Sequence, residues 1–260
     1  MRPHLVVFIA ASVAFFATAL PRAQMAPWNN AGLSGPPSGP SGPAPRRDLS
    51  GTWDAGFAGV QPTGHTAAPF TPLGQKMASA NKPGNGTRLV QVTDDNDPLS
   101  TMGDPTGFPR IILYELRPFQ IVQTPANVLF AYEFASASRI VYMNSSEESP
   151  AESWMGFSRG RWDGDTLVVD VAGFNEDTWF DRAGNFHSTD LHVVERYTRT
   201  GPDVLQYEAT LEDPKVFTRP WTIRMPLYRR LEKNAQLLEY KCVEFVEELM
   251  YGHLRKKAGT

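Results

Sequence analysis

The polar residues best suited to catalysis lie in the run 187–192, HSTDLH, which holds two of the five histidines of the chain. Histidine titrates near neutral pH, and a neighbouring carboxylate can orient its ring for general acid–base work. His187 has Asp181 and Asp190 close to it in sequence as orienting carboxylates, and Arg196 could bind a developing oxyanion or a substrate carboxylate. The competing interpretation is that these residues only tie a long loop to a barrel rim by hydrogen bonds.

Other kinds of reactive site find less support. His187 and His192 are five residues apart, so they point to opposite faces of a continuous strand and form a poor metal site. The acidic run 94–97, DDND, lacks the glycine and terminal glutamate of an EF-hand and is typical of a solvated turn. Residues 156–160, GFSRG, have the G-x-S-x-G spacing of a nucleophile motif, but Ser158 falls within the predicted strand 157–162 and not on the sharp strand-to-helix turn that a catalytic serine of this kind needs. There is no glycine-rich nucleotide loop. We therefore expect neither a metal nor a cofactor.

Aromatic residues, at 11% of the chain, suggest a ligand pocket instead. Such a pocket needs apolar walls with a few polar groups. A barrel of roughly eight to ten strands is just wide enough to hold side chains or one small ligand. A plain packed core is the alternative interpretation of the same aromatic residues. The residues expected to contact a ligand are Trp154, Trp179, Tyr132, Tyr142, His192 and Glu195.

The elements that must position these residues are β-strands. Apolar and polar residues alternate in segments such as 205–211 and 128–134, which is typical of strands with one buried and one wet face. The Asp163-Gly164 pair predicts a hairpin. The predicted strands are 51–56, 119–123, 128–134, 138–143, 157–162, 166–171, 192–199, 205–211, 221–225 and 236–243.

These strands predict an all-β fold, an antiparallel meander that closes into a lipocalin-like barrel, with a curled β-sandwich as the alternative. One or two short helices are expected, the first capped by Thr71 and running through Asn81, the second at 244–251. In the strand 192–199, alternation places His192 and Arg196 on one face and Glu195 on the other.

The N-terminus has the pattern of an exported protein. Residues 1–23 combine a basic start, an apolar run of about 16 residues and small residues at a cleavage site, which predicts a signal peptide. That run is shorter than the ~20 residues of a transmembrane helix, so we expect no stable membrane insertion after cleavage. An uncleaved N-terminal anchor is the alternative. The net charge of −3 gives no indication of the basic surface that nucleic-acid binding requires.

The rest of the chain divides in two. Residues 24–47 are rich in Pro, Gly and Ser, which predicts a disordered tether. Residues 48–260 are expected to form a single β-barrel domain. Its long loop region, 62–118, has little periodic pattern and is expected to pack over one end of the barrel.

Several motifs resemble those of a family of exported bacterial proteins, most of which have no assigned function. They are SWMGFSRGRWDGDTLVVDVAGFN, TWFDRAGNFHSTDLHVVERYTR and TLEDPKVFTRPW, with DLSGTW, GFPR and PFQIVQTP upstream. The resemblance implies a cysteine shortly before GFPR that could pair with one near Cys242, but Met102-Gly103 holds that place here. Residues 144–150 also depart from the Asp-Gly-Arg-x-His-Pro-like stretch of the family. Separately, Gly51-Thr52-Trp53 resembles the G-x-W opening of lipocalins.

Two functions follow from these patterns. The first is an exported lipocalin-like protein that binds a small hydrophobic or aromatic molecule in a barrel cavity. The second is a cofactor-independent lyase, isomerase, cyclase or hydrolase that uses His187 with Asp181 or Asp190 as acid and base at the barrel mouth. Binding is favoured because no recognised catalytic motif anchors the second hypothesis. The oligomeric state is open.

Overall fold

The computed structural model describes residues 46–55, 68–84, 90–113, 118–232, 235–239 and 251–254. The predicted signal peptide, nearly all of the predicted tether and C-terminal helix, and Cys242 lie outside these ranges. Within them, nine strands form a closed barrel, which confirms the all-β barrel and rules out the sandwich. The strands are β1 Gly51–Ala55, β2 Phe119–Gln123, β3 Asn127–Tyr132, β4 Ser138–Met143, β5 Phe157–Asp163, β6 Thr166–Ala172, β7 His192–Gly201, β8 Val204–Glu212 and β9 Trp221–Arg229.

Nine of the ten predicted strands are present. The tenth, 236–243, is wrong where it can be compared, because residues 236–239 are not in a strand. The hairpin predicted at Asp163-Gly164 closes between Asp163 and Thr166. Gly164 takes a φ of +60° there, a left-handed conformation that costs glycine little.

Each strand pairs with its neighbours in chain order, and β1 closes the barrel on β9. All pairs are antiparallel except β4 and β5, where Val141 lies opposite Ser158 in a parallel register. The expectation of a uniform antiparallel meander is therefore wrong at this pair. Residues 144–156 carry the chain from one end of the barrel back to the other along its outside, as a parallel connection requires.

One end of the barrel, which we call the base, is sealed by the segment 46–50. Arg199 donates a hydrogen bond to the backbone oxygen of Asp48 at 2.6 Å, and its guanidinium lies 5.3 Å from the centre of the Trp53 ring. The Trp53 indole N–H donates to the Leu49 carbonyl at 2.8 Å. The G-x-W tryptophan thus helps to close the base.

The opposite end is covered by what we call the cap, formed by residues 68–84, 90–113, 173–191 and 213–218. It contains three short helices, α1 Pro72–Ala80, α2 Pro98–Thr101 and α3 Arg110–Leu113, where one or two helices were expected in the whole chain. The predicted Thr71 cap is present, since the Thr71 hydroxyl accepts a hydrogen bond from the Gly74 N–H at 3.1 Å. None of the helices in the described part of the chain has the length and hydrophobicity that a membrane crossing requires.

Candidate functional site

Five polar side chains lie inside the barrel, close to the cap. They are Arg139 on β4, Glu195 on β7 and three tyrosines, Tyr132, Tyr197 and Tyr207, and all five are buried. Arg139 Nη1 donates to Glu195 Oε2 at 2.6 Å, and its Nη2 donates to Oε1 at 3.3 Å. The Tyr197 hydroxyl donates to the same Oε1 at 2.6 Å. We call these five residues the inner cluster.

The environment of the inner cluster keeps its tyrosines protonated. Burial raises the pKa of Tyr132 to about 12. Burial, and then the charge of Glu195, raise the pKa values of Tyr197 and Tyr207 well above the usual range. Burial, the largest single effect, would lower the pKa of Arg139, but the charge and hydrogen bond of Glu195 together with the neighbouring Tyr132 and Tyr197 outweigh it, and the pKa is raised. The cluster therefore combines one compensated ion pair with neutral hydroxyl groups.

Several polar atoms in this region have no hydrogen-bond partner of good geometry among the described residues. They are the hydroxyls of Tyr132 and Tyr207, the Arg139 Nε and the Ser158 hydroxyl. Buried polar atoms of native proteins usually have a protein or water partner. The Tyr132 hydroxyl interacts with Arg139 and the Tyr207 hydroxyl with Glu195, but without well-directed hydrogen bonds. The interior of the barrel thus offers hydrogen-bonding capacity that its described side chains use only in part.

The cap places an aromatic ring directly on the inner cluster. Phe108, fully buried, lies with its ring centre 4.1 Å from the Arg139 guanidinium carbon. The Phe130 ring centre lies 4.9 Å from that carbon. Phe174 of the cap stacks on Phe108 with the ring centres 6.3 Å apart. Aromatic surface from the cap and from the barrel wall therefore surrounds the arginine.

His187 lies in the cap, and only 1% of its surface is exposed. Its Nδ1 is 3.2 Å from the Ser188 carbonyl oxygen, and its Nε2 has no partner among the described residues. Burial lowers the pKa of the imidazole, so the ring is neutral. If Nδ1 carries the proton toward the carbonyl, Nε2 presents a free lone pair, as a general base requires. The ring packs edge-on against Phe174 at 6.0 Å.

The structure does not bring His187 together with either predicted carboxylate. Asp181 is buried, with a pKa raised by burial, and it accepts hydrogen bonds from Asn185 within its own turn, at 2.6 Å from the amide Nδ2. Asp190 is exposed and forms a salt bridge with Lys215 at 3.0 Å. Both carboxylates are engaged within the loop, Asp181 by Asn185 and Asp190 by Lys215, and neither forms a hydrogen bond with the histidine among the contacts of the described residues.

The carboxylate that supports this loop is Asp213, which the sequence analysis missed. It accepts hydrogen bonds from the Ser188 N–H at 2.7 Å and from the Ser188 hydroxyl at 2.9 Å. It also accepts from the Val216 N–H at 3.2 Å. An aspartate directly before Pro214 is a recognisable turn signal, but nothing local indicates a partner 25 residues upstream.

Three of the predicted site residues lie on the outside of the barrel. His192 Nε2 lies 2.9 Å from an Asp170 carboxylate oxygen, and Arg196 pairs with Asp163 at 3.0 Å. Tyr142 is 37% exposed. These residues do not line the interior, because strand alternation directs them away from it.

The remaining predicted residues lie at the interior or in the cap. Tyr132 and Glu195 belong to the inner cluster. Trp179 is buried in the cap, with its ring 5.8 Å from the Arg110 guanidinium carbon. Trp154 is half-buried, and its indole N–H has no hydrogen-bond partner among the described residues.

Two open surface cavities flank the crossing segment 144–156, outside the barrel. Their volumes are about 320 and 350 Å³, and Arg159 lines both. Arg159 Nη2 is held by an Asp170 carboxylate oxygen at 2.7 Å, and that carboxylate also contacts His192. The described side chains that face the barrel interior form a packed core.

Among the residues that the structure describes, no group of three or more His, Cys, Asp or Glu side chains could hold a metal ion. No family model, curated protein or solved structure matches the chain.

Proposed function

We propose that the protein is an exported, lipocalin-like barrel that binds one small aromatic molecule at the capped end of its interior. The observation that carries this proposal is the inner cluster, where the hydroxyls of Tyr132 and Tyr207 and the Arg139 Nε are buried without partners of good geometry among the described residues. An unsatisfied buried polar group costs about 1–3 kcal/mol. A ligand that supplies a hydrogen-bonding oxygen would recover part of that cost.

The surroundings of the cluster favour an aromatic ligand. Phe119, Phe130 and Tyr132 pack against one another, with ring centres 5.7–6.4 Å apart. Apolar walls with a few convergent polar groups are what a small-molecule pocket needs. The base is sealed by Trp53 and Arg199, so the ligand would enter through the cap.

The proposal is tested by calorimetric titration of the protein with a panel of one- and two-ring aromatic molecules. Tyr132→Phe and Tyr207→Phe each remove one hydroxyl and keep the ring. Each should weaken binding about three- to tenfold, the equivalent of one hydrogen bond. Tyr142→Phe is the matched control, because this tyrosine lies on the outer face, and it should bind like the wild type. Absence of binding at millimolar concentrations, or equal effects of all three variants, would refute the proposal.

A second candidate function is a cofactor-independent lyase, isomerase, cyclase or hydrolase with His187 as general base. The unpartnered Nε2 and the anchored Nδ1 favour it. The Ser188 carbonyl, rather than Asp181 or Asp190, would orient the ring. The test follows the absorbance of each bound aromatic over time. His187→Ala should abolish any turnover while most ligand affinity remains, and unchanged turnover would remove His187 from this role.

A further inference from the structure

We infer that Phe108 occupies the place of the ligand's ring, so that the ligand is a single-ring, uncharged aromatic molecule with one oxygen substituent, such as a phenol. This inference rests on the proposed function and specifies its ligand class and its route of entry. In the structure described here, the protein's own phenylalanine fills the site.

The first support is the geometry at Arg139. Its guanidinium carbon lies 4.1 Å from the Phe108 ring centre and 4.9 Å from that of Phe130, so the cation contacts two aromatic rings. Guanidinium groups bind aromatic faces at such distances. Phe130 belongs to the barrel wall, whereas Phe108 comes from the cap. The Phe108 ring is therefore the one that another aromatic group can replace.

The second support is the way in which Phe108 is held. It lies on a segment that has no strand pairing, and its backbone N–H donates to the Trp154 carbonyl at 2.8 Å. The Thr178 hydroxyl donates to the Thr106 carbonyl at 2.9 Å. Segments outside the hydrogen-bonded ladder of a barrel open at lower free energy than its strands. Arg110, two residues further on, is anchored by a buried ion pair with Asp97, so the opening that releases the Phe108 ring would be confined to residues 106–108 and these two hydrogen bonds.

The third support is the charge of the inner cluster. Arg139 and Glu195 compensate each other through the 2.6 Å contact between Nη1 and Oε2. A ligand carboxylate would therefore enter a buried, already neutral site without an unpaired cation to receive it, which is costly. The hydroxyls of Tyr132 and Tyr207 interact with Arg139 and Glu195 but have no hydrogen-bond partner of good geometry among the described residues, so they suit a neutral oxygen instead. This excludes aromatic acids and favours phenols or aromatic aldehydes.

If the Phe108 ring competes with the ligand for the site, removing the ring must increase the affinity for the ligand. The apparent affinity of a ligand is reduced by the fraction of molecules whose site is open. Phe108→Ala removes the competitor and should bind phenol at least tenfold more tightly than the wild-type protein does. If Phe108 served only to fill the core, any gain in affinity caused by Phe108→Ala would not depend on the hydroxyl group of phenol.

Removal of any large buried side chain can leave an apolar cavity that binds small aromatic molecules. The matched control is therefore Phe180→Ala, which removes an equally buried ring of the cap that packs on Trp221 at 5.4 Å, away from Arg139. A plain cavity binds toluene at least as well as phenol. The site at Phe108 should prefer phenol, and Tyr207→Phe in the Phe108→Ala background should reduce that preference.

The experiment is isothermal titration of the full chain and these variants with phenol, toluene and benzoate. Expected are a gain for phenol in Phe108→Ala, little gain in Phe180→Ala, and weaker binding of toluene and benzoate. If Phe108→Ala fails to fold, Phe108→Leu removes the ring but keeps most of its volume, and a gain of about threefold is expected.

Two sets of results overturn the inference. If the wild type binds an aromatic molecule but the Phe108 variants bind phenol no more tightly, or Phe180→Ala gains as much, the proposed function stands and this inference is wrong. If neither the wild type nor any variant binds any of the three probes, both are wrong.

Discussion

Replacing Glu195 by Gln would remove one charge from a completely buried ion pair while keeping the shape of the side chain. The side chains of Arg139 and Glu195 are 2% and 0% exposed, so no solvent can compensate the remaining guanidinium. Breaking a buried pair by removing one partner costs about 3–5 kcal/mol. The amide oxygen can still accept the hydrogen bond from Tyr197, so we expect the lower end, a loss of about 3 kcal/mol in the free energy of unfolding.

A matched control exists on the outer face of the neighbouring strand. Glu208 on β8 contacts Arg224 at 2.5 Å, but these side chains are 30% and 63% exposed. Glu208→Gln should change the free energy of unfolding by about 0–1 kcal/mol, because exposed pairs contribute little. A third variant, Arg139→Met with Glu195→Leu, removes both charges. It should recover much of the stability lost in Glu195→Gln, since the cost arises from the unpaired charge.

The assay is urea unfolding, followed by tryptophan fluorescence and circular dichroism, with the three variants compared at one pH and one salt concentration. The reasoning is refuted if Glu195→Gln and Glu208→Gln lose equal stability. It is also refuted if the double replacement is less stable than Glu195→Gln. Either result would mean that the inner ion pair does not behave as a buried one.

Four further predictions follow from other contacts. Tyr132 keeps its proton to about pH 12 in the folded state but loses it near pH 10 when unfolded, so this residue alone should lower the free energy of unfolding by about 1.4 kcal/mol per pH unit as the pH rises between these values, in addition to the contributions of Tyr197 and Tyr207. Tyr132→Phe should reduce that slope in urea titrations. His187 stays neutral when folded but is protonated when unfolded below about pH 6.5, so stability should fall on acidification, and His187→Gln should make that fall shallower. Thr71→Ala removes the cap of α1 and should lower the free energy of unfolding by about 1 kcal/mol, measured by the same method. In a bacterial host, cell fractionation and intact-mass analysis should find the protein outside the cytoplasm and shortened by the predicted signal peptide, whereas a full-length, membrane-bound product would favour the uncleaved anchor.

The positions of the strands were predictable because apolar and polar residues alternate within each strand, and this alternation is visible in neighbouring residues. The face that points inward was not always predictable. In β4, the sequence SRIVYM reads with Ile140 and Tyr142 as an apolar face, but these are 45% and 37% exposed while Arg139 is buried. Closure of the barrel selects the inward face, and Glu195 on a distant strand makes the buried arginine tolerable. The sequence analysis therefore missed Arg139 and assigned Tyr142 to the ligand.

The carboxylates predicted to orient His187 are not the ones that support its loop, again because the contacts form between distant segments of the chain. Asp181 and Asp190 are the carboxylates nearest to His187 along the chain, but hydrogen bonds and salt bridges form between groups that the fold brings together. Asp213 reaches the loop because β8 ends beside the start of β7, where His192 pairs with Glu212. The pairing of β7 with β8 cannot be predicted from the residues next to His187 in the sequence.

The sequence by itself determined the strands, most of their boundaries, the Thr71 helix cap and the barrel class, because backbone sterics, hydrogen bonding and alternating burial act over a few residues. Only the tertiary structure decided the parallel pair of β4 with β5, the inward direction of Arg139 and the placement of Phe108 against it. Those features depend on contacts between segments far apart in the chain. In the low dielectric of a closed interior, a buried charge such as that of Arg139 is stable only where the fold brings a partner to it.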